Sequence, residues 1–554
     1  MDRPLLKDYF RESKILNNRI IVASVIIVIL TFAVISRLFY LQILSHDHYT
    51  TLSQENRVTL VPIPPQRGVI YDRNGIVLAQ DSPAFTIEVT PDKIKNIDAM
   101  LQSLGEVISL SDREIKRFRR ELTQKRRFEA VPLRFNLDDE EMARFAVNRY
   151  RFPGVEIKAR MVRHYPLGEL GVHALGYVGR INEAEQKKLD TNYSGTTHIG
   201  KLGIEKAYEN ILHGTVGVEQ VETTAQGDAL RVLGHVLPVA GKDLYLTLDI
   251  NLQAVAEGAL GGKRGAVVAI NPKNGEILAF VSRPGYDPNL FVNGISYEDY
   301  DALQPSLDKP LINRVLQGQY PPGSTVKPFY ALAGLEYNKI TPGETVSCRG
   351  YFQLPGLAHR YRDWKKEGHG AVNLDTAVAQ SCDVYFYTLA QTLGIDAMAT
   401  FMAQFGLGKK TGIDVPGEMM GVMPSSAWKR KVLKQPWYGG ETLIAGIGQG
   451  YVLTTPLQLA AITATLANHG FQMRPHLLRG THDLGSATMM AQKPVVSKRV
   501  PVANGANWDA VINSMVSVVH SPRGTAYGIG VKSPYKIAGK TGTAQVASIK
   551  QGER

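Results

Sequence analysis

The sequence predicts a multidomain α+β protein held to a membrane by one N-terminal transmembrane helix. Three observations carry this. A charge-free apolar run follows a basic N-terminal stretch. Residues 45–240 mix charged helical patterns with short glycine-rich strands. The remainder has strands near both ends and a mostly helical insertion between them. At 554 residues the chain has room for two or three cores. Its net charge of +12, from 63 Lys and Arg against 51 Asp and Glu, is mild for this length. It makes no case for nucleic acid as a partner and suits an anionic neighbourhood such as a membrane surface or an acidic polymer.

The anchor comes first. Ile20 to Ile35 carries no charge, and Leu38-Phe39-Tyr40-Leu41 extends the run past Arg37. As a helix, residues 20–44 would span about 37 Å, enough for a hydrocarbon core of about 30 Å with some tilt. Arg37 lies near the outer end, where its stem can snorkel. Arg3, Lys7, Arg11, Lys14 and Arg19 precede the run. They place residues 1–19 in the cytoplasm and everything beyond about residue 45 outside it. A cleaved signal peptide is the competing reading, but no small-x-small cleavage site follows and the run is long for a signal core.

Next, Ser45 to Gln66 reads as an extended stalk containing Pro62-Ile63-Pro64-Pro65. Residues 67–79 hold two short apolar runs around Asp72-Arg73-Asn74-Gly75, a hairpin signature. Residues 92–150 read as charged helices. The seven basic residues of 116–127, with Phe118 and Leu122 between them, read as a solvated helix face in preference to a glycan- or lipid-binding patch. The texture changes at Asp243: a strand at 244–248 leads to a helix at 251–260. Residues 265–270 and 276–281 then flank Asn271-Pro272-Lys273-Asn274-Gly275 as a second hairpin. Lys536 to Val546 reads as a further strand, so one domain closed by a sheet of distant segments is expected over 241–554.

Three short motifs carry the chemistry: Ser324-Thr325-Val326-Lys327, Ser381-Cys382-Asp383 and Lys540-Thr541-Gly542-Thr543. After Pro321-Pro322-Gly323, the first reads as an opening helical turn that puts the Lys327 amine within reach of the Ser324 hydroxyl. Serine is a poor nucleophile without a base. The helix N-terminus, partial burial and a second lysine are expected to depress Lys327 so that it serves as a neutral base. Strand-like alternation turns Ser381 and Asp383 to the cleft and Cys382 away. Ser381 suits a proton relay to a leaving amine, and Asp383 suits a substrate amide or a lysine. Lys540 and the hydroxyls of Thr541 and Thr543 suit a substrate carboxylate, Gly542 clears a close approach, and the backbone N–H groups of Ser324 and Thr543 suit an oxyanion hole. One Ser-x-x-Lys pair is a common helical coincidence; three motifs in this order are not.

With these motifs, and with Arg67-Gly68-Val69-Ile70-Tyr71-Asp72-Arg73-Asn74-Gly75, Tyr361-Arg362-Asp363-Trp364-Lys365-Lys366 and Gly446-Ile447-Gly448-Gln449-Gly450-Tyr451, the chain resembles the class B penicillin-binding proteins. Asp383, where division-type relatives usually carry Asn, points to the elongation branch. The resemblance implies a serine D,D-transpeptidase that cross-links peptidoglycan stem peptides and is acylated at Ser324 by β-lactams. It further implies an elongated non-catalytic pedestal over 45–240 and a penicillin-binding domain over 241–554 with an antiparallel sheet flanked by helices. Implied partners are the bacterial inner membrane, a SEDS-family glycan polymerase and other elongation-complex proteins. The catalytic part would be periplasmic. The family continues past the Lys-Thr-Gly strand with two more strands and a helix, so the sequence ending at Arg554 reads as partial. A D,D-carboxypeptidase or β-lactamase-like hydrolase, and a regulatory scaffold that activates a polymerase, are the alternatives.

The two cysteines, Cys348 and Cys382, sit in an exported region, where a disulfide is the default. Asp363 and His369 between them complete a tetrahedral zinc set, with His359 as the substitute ligand. A structural zinc, a disulfide and two buried thiols are all open. No cofactor is needed for the acyl transfer itself.

Overall fold

The computed structural model describes residues 9–46, 58–124, 130–223, 229–486 and 488–544. Helix α1 (Tyr9–Phe39) runs on through one π-helical turn, Tyr40–Leu44. Ser13–Leu44 is the one helix among the described residues long and apolar enough to cross a membrane, and none of it is buried by protein. Its helix begins well before the apolar run, because Arg11-Glu12-Ser13-Lys14 sustains helical hydrogen bonding as readily as isoleucine does.

Beyond the anchor, β1 (Val58–Ile63), β6 (Gly217–Thr223) and β7 (Ala229–Val236) form a three-stranded antiparallel sheet in the order β1-β6-β7. Between β1 and β6 lie β2 (Ile70–Tyr71), β3 (Val77–Val89), α2 (Asp112–Gln124), β4 (Val131–Arg134) and β5 (Val155–His164). The expected hairpin over residues 67–79 is formed by β2 and β3, with Ile70 opposite Ala79 and Tyr71 opposite Val77. Asp72 makes its turn: Oδ1 accepts from the N–H groups of Asn74 (2.7 Å) and Ile76 (2.8 Å), and Gly75 supplies a left-handed φ of 87°. On α2, Phe118 is buried while Lys116, Arg119 and Arg120 face water, in line with a solvated face; Lys125, Arg126 and Arg127 lie outside the described residues.

The second half starts at β8 (Asp243–Leu246), followed by α3 (Ile250–Leu260) and the expected hairpin of β9 (Gly265–Ile270) and β10 (Ile277–Arg283). Strand β8 does not stay with its own half. It pairs in parallel with β2 on one side and antiparallel with β15 (Leu478–His482) on the other. One sheet thus runs β16-β15-β8-β2-β3-β4, where β16 is Met490–Ala491, and β5 adds along β3. Asp72 reinforces the join, because its Oδ2 accepts from Ile250 N at the start of α3 (3.2 Å). A core of Ile70, Leu78, Leu244, Ile277, Phe280 and Leu477 lies beneath.

The first half, expected as a pedestal, is also pinned by ion pairs. Arg67 donates to Glu205 Oε2 (2.8 Å) and Glu209 Oε2 (2.7 Å), Arg163 to Glu205 Oε1 (2.7 Å), and the Tyr165 hydroxyl to the same oxygen (3.2 Å). Burial alone would raise the Glu205 pKa, but Arg163 and Arg67 hold it below the ordinary carboxylate value.

The second half packs α4 (Lys327–Glu336) at its centre, with every residue from Lys327 to Leu335 buried. Against it lie α5 (Asp383–Leu393) and α8 (Ala506–His520), with α6 (Gly439–Gly446) packed on α5; α7 (Pro456–Ala467) and α3 cover the β9–β10 pair. The strand expected over Lys536–Val546 is not formed in residues 536–544, and 545–546 lie outside the described residues. The backbone there is committed elsewhere: Ile537 N donates to His520 Nε2 (2.9 Å) and Gly539 N to Met515 O (3.0 Å), both on α8. Donors spent on a helix cannot build a ladder.

Candidate active site

Gly323 opens the nucleophile turn with a φ of 57°, and a Cβ there would lie 2.5 Å from Thr543 O. Its N–H donates to Gly448 O (2.8 Å), so the Gly446–Tyr451 loop braces the turn from behind. Gly323–Val326 is a 3₁₀ turn feeding α4, tighter than the α-helical turn expected, and Thr325 Oγ1 ties it to Pro322 O (2.7 Å). Ser324 is half-buried and open to the cleft.

Lys327, the first residue of α4, is fully buried. Its ammonium has three donors, directed to Ser381 O (2.9 Å), Ser381 Oγ (3.3 Å) and Asp383 Oδ1 (2.7 Å). Among the described residues the Ser324 hydroxyl makes no hydrogen bond, so the direct Ser324–Lys327 contact expected from the spacing is absent in this geometry. Lys540 reaches the same Ser381 Oγ from the other side (2.9 Å). The Ser381 hydroxyl is therefore held between two amines. Burial, helped by the charge of Lys327 and opposed by Asp383, brings the Lys540 pKa down to about 7.

Ser381 and Asp383 do face the cleft, but not through strand alternation. Ser381 has a left-handed φ of 57°, Cys382 is the N-cap, and Asp383 begins α5. The reversal at Ser381 does what a pleat would have done. The N–H groups of Asp383 (2.8 Å) and Val384 (3.1 Å) donate to Asp363 Oδ2, a carboxylate seated at the positive end of α5.

The third motif lies on the nucleophile turn. A Cβ on Gly542 would meet the Thr325 methyl at 2.6 Å, Thr541 Oγ1 pairs with Thr525 Oγ1 (2.7 Å), and Thr543 O accepts from Gln449 Nε2 (3.0 Å). Sequence reasoning gave Gln449 and Trp364 no role of their own. A glutamine set among three glycines in Gly446–Gly450 was the available signal for the first. Trp364 donates its N–H to Asp383 Oδ2 (3.2 Å) and its indole N–H to Gln380 O (3.1 Å), which nothing in its spacing announces.

Cys348, Asp363, His369 and Cys382 come together behind this site, their ligand atoms all within 4.8 Å of one another. Cys348 Sγ lies 3.5 Å from His369 Nδ1 and 3.6 Å from Asp363 Oδ2; Cys382 Sγ is 3.4 Å from Asp363 Oδ2. Bonds of about 2.3 Å to sulfur and 2.0–2.1 Å to nitrogen or oxygen give tetrahedral edges of about 3.5–3.6 Å, so the set fits zinc. The cysteines are free thiols, not a disulfide, and burial pushes that of Cys382 far up. His359 is exposed and packs on Tyr361, outside the cluster.

Residues 265–554 match the penicillin-binding protein transpeptidase domain, and 62–246 the penicillin-binding protein dimerisation domain. The chain is 46% identical to the peptidoglycan D,D-transpeptidase MrdA of Acinetobacter baumannii over 557 aligned residues, covering 99% of this chain and 81% of that protein. Its structure resembles penicillin-binding protein PBP2 of Helicobacter pylori in complex with MreC, with a TM-score of 0.75 at 32% identity, covering 88% of this chain and 90% of the other. It also resembles a chain of a peptidoglycan synthase complex described as coordinating polymerization and crosslinking, with a TM-score of 0.69 at 32% identity, covering 95% and 88%.

Proposed function

The chain belongs to the class B penicillin-binding proteins, and we propose that the proton its reaction must move travels among Ser324, Lys327, Ser381 and Lys540. As a member it is a peptidoglycan D,D-transpeptidase, cross-linking stem peptides during cell elongation through a serine acyl-enzyme that β-lactams also form. The observation that carries the proton path is the Ser381 hydroxyl lying within hydrogen-bond reach of both amines.

Near pH 7 about half of Lys540 is neutral. A proton passed from Lys327 through Ser381 Oγ to neutral Lys540 leaves Lys327 uncharged, one turn from Ser324. Lys327 then takes the Ser324 proton as Oγ attacks the carbonyl carbon of the terminal D-Ala-D-Ala bond. The oxyanion is received by the N–H groups of Ser324 and Thr543, where the loss of one such donor costs other enzymes about 3–4 kcal/mol. Collapse breaks the C–N bond, and the departing D-alanine amine takes a proton back through Ser381. An acceptor amine repeats the path in reverse and releases Ser324. Asp383 holds Lys327 in place, and the hydroxyls of Thr541 and Thr543 bind the substrate carboxylate. Acyl transfer of this kind needs no cofactor.

Cys348, Asp363, His369 and Cys382 would hold a structural zinc, which supplies a closed cross-link between the 348–370 segment and the start of α5 and takes part in no reaction step. Metal analysis of the purified chain should find about one equivalent of zinc. Less than about half an equivalent, with thiols that alkylate only after reduction, would mean a disulfide instead.

The basic residues before the apolar run of α1 favour a cytoplasmic N-terminus and a periplasmic catalytic half. Residues 45–240 would act as a pedestal that docks a SEDS-family glycan polymerase and other elongation proteins. The relatives seen with MreC and in a synthase complex support this.

The decisive experiment is mass spectrometry after incubation with a penicillin, on the full-length chain and on Ser324→Ala. One adduct on the peptide containing Ser324, absent from the variant, is expected; an adduct elsewhere overturns the assignment. Unchanged cross-linking by Ser324→Ala would favour a scaffold, and acyl transfer to water alone a hydrolase.

A further inference from the structure

We propose that the hairpin beside the catalytic helix is a docking face for the carboxylate-bearing part of the substrate peptide. Trp364 is its shelf, and Arg349, Arg360, Arg362 and Lys366 are its cations. The proposal rests on the acyl-transfer reading above and deepens it.

The hairpin consists of β12 (Tyr351–Gln353) and β13 (Arg360–Arg362); its base is closed by β11 (Val346–Cys348) paired with β14 (Gly370–Val372). Alternation sorts its side chains. Tyr361 turns inward against Tyr387 of α5, with ring centroids 5.9 Å apart, while Arg360 and Arg362 turn out to water. Arg362 stands opposite Tyr351 in the ladder, and the Arg360 guanidinium lies 4.5 Å over the Tyr351 ring. The outward face is therefore cationic and aromatic.

Among the described residues, Arg349, Arg360, Arg362 and Lys366 form no ion pair with any carboxylate. Arginines in the pedestal behave differently: Arg67, Arg134, Arg160, Arg163 and Arg180 all have acidic partners. Like charges gathered on one hairpin repel one another, and an arriving anion relieves that repulsion. Guanidinium groups in particular suit carboxylates, which they bind two-pronged.

The location ties this face to the reaction. Trp364 follows β13 by two residues and is fastened at both ends, its backbone N–H to Asp383 and its indole N–H to Gln380 O, next to Ser381. Yet 54% of it remains exposed. A large ring held rigid and wet at the edge of the cleft gives contact area at little entropic cost. The terminal carboxylate of the substrate peptide goes to Thr541 and Thr543; a side-chain carboxylate farther along the peptide supplies the matching charge.

The test compares the full-length chain in nanodiscs with Arg360→Glu/Arg362→Glu and Arg360→Lys/Arg362→Lys. Each is assayed for acylation by a small penicillin and for cross-linking of stem peptides whose side-chain carboxylates are free or amidated, the terminal D-Ala carboxylate being left free in both. The expected result is a roughly ten-fold rise in KM for the free-carboxylate peptide in the Glu variant, at low salt. Its penicillin acylation should change less than about two-fold, the amidated peptide should show no difference, and the Lys variant should recover most of the loss. Equal cross-linking by wild type and the Glu variant would overturn the docking face alone. So would an equal loss with both peptides, which would make the hairpin merely structural. A loss seen only in cells would assign the face to an acidic partner and also overturn it. A wild-type chain that takes no penicillin would instead overturn the acyl-transfer reading, and this proposal with it.

Discussion

The pedestal and the catalytic cleft each hold two cations side by side, one buried and one half-buried, and they treat them in opposite ways. In the pedestal, Arg67 and Arg163 are met by Glu205 and Glu209, with Asp81 near Arg163 (3.4 Å), so carboxylates at least match guanidinium groups. In the cleft, among the described residues, Lys327 and Lys540 have only Asp383 between them, and it contacts Lys327. The surplus positive charge falls on Lys540, and its proton becomes loose near neutrality. Burial is common to both clusters. What separates a structural cluster from a reactive one is whether the opposite charges suffice.

Four measurements can break or sharpen that contrast. The largest effect is expected in the cleft: Lys327→Ala should slow penicillin acylation by about 10²–10⁴-fold in the protein that remains folded, the range for losing a positioned acid or base. In the pedestal the effects should be exchanged. Glu205→Ala leaves Arg67 and Arg163 under-compensated and should destabilise the fold by about 3–5 kcal/mol, while the protein that remains folded acylates normally. A mutant that does the reverse in either place would dissolve the distinction.

The third measurement is a pH profile. Lys540 is protonated below about 7 and neutral above it. If acylation needs it neutral, the rate should climb roughly ten-fold from pH 6 to pH 8. Lys540→Arg cannot shed its proton in this range and should lose that rise. For folding the sign is the same: unfolded Lys540 holds its proton to near 10.5, so between about 7 and 10.5 the unfolded state binds more protons and this group's contribution to stability grows with pH. The smallest effect belongs at the surface. Arg119 and Asp98 pair at 2.7 Å while more than half exposed, and Arg119→Ala should move stability by less than about 0.5 kcal/mol.

Much of the site could be read from residue order, because each motif is a local pattern with local geometry. Both hairpins followed from Asn-Gly turns between β-rich runs, and the four-residue Cys348, Asp363, His369 and Cys382 cluster from its donor types. What stayed hidden was settled at long range. Nothing near Ile70 announces a parallel partner at Leu244. The left-handed φ of Ser381 is imposed by tertiary contacts on a residue that has no intrinsic preference for it. Residues 536–544 have a strand's composition, but α8 takes the backbone donors of Ile537 and Gly539. Sequence places Lys327 one turn from Ser324; it does not reveal that Ser381 and Asp383 claim the amine first.

The strand β8 has a practical corollary. A protein engineer dividing this chain near residue 240 would tear β8 from β2 and leave Asp72 with no helix to cap. Each excised fragment would carry a raw, sticky border, prone to clumping. By the same token, a pull on β2 reaches β8 and the start of α3 directly, with no slack joint at that seam to absorb it.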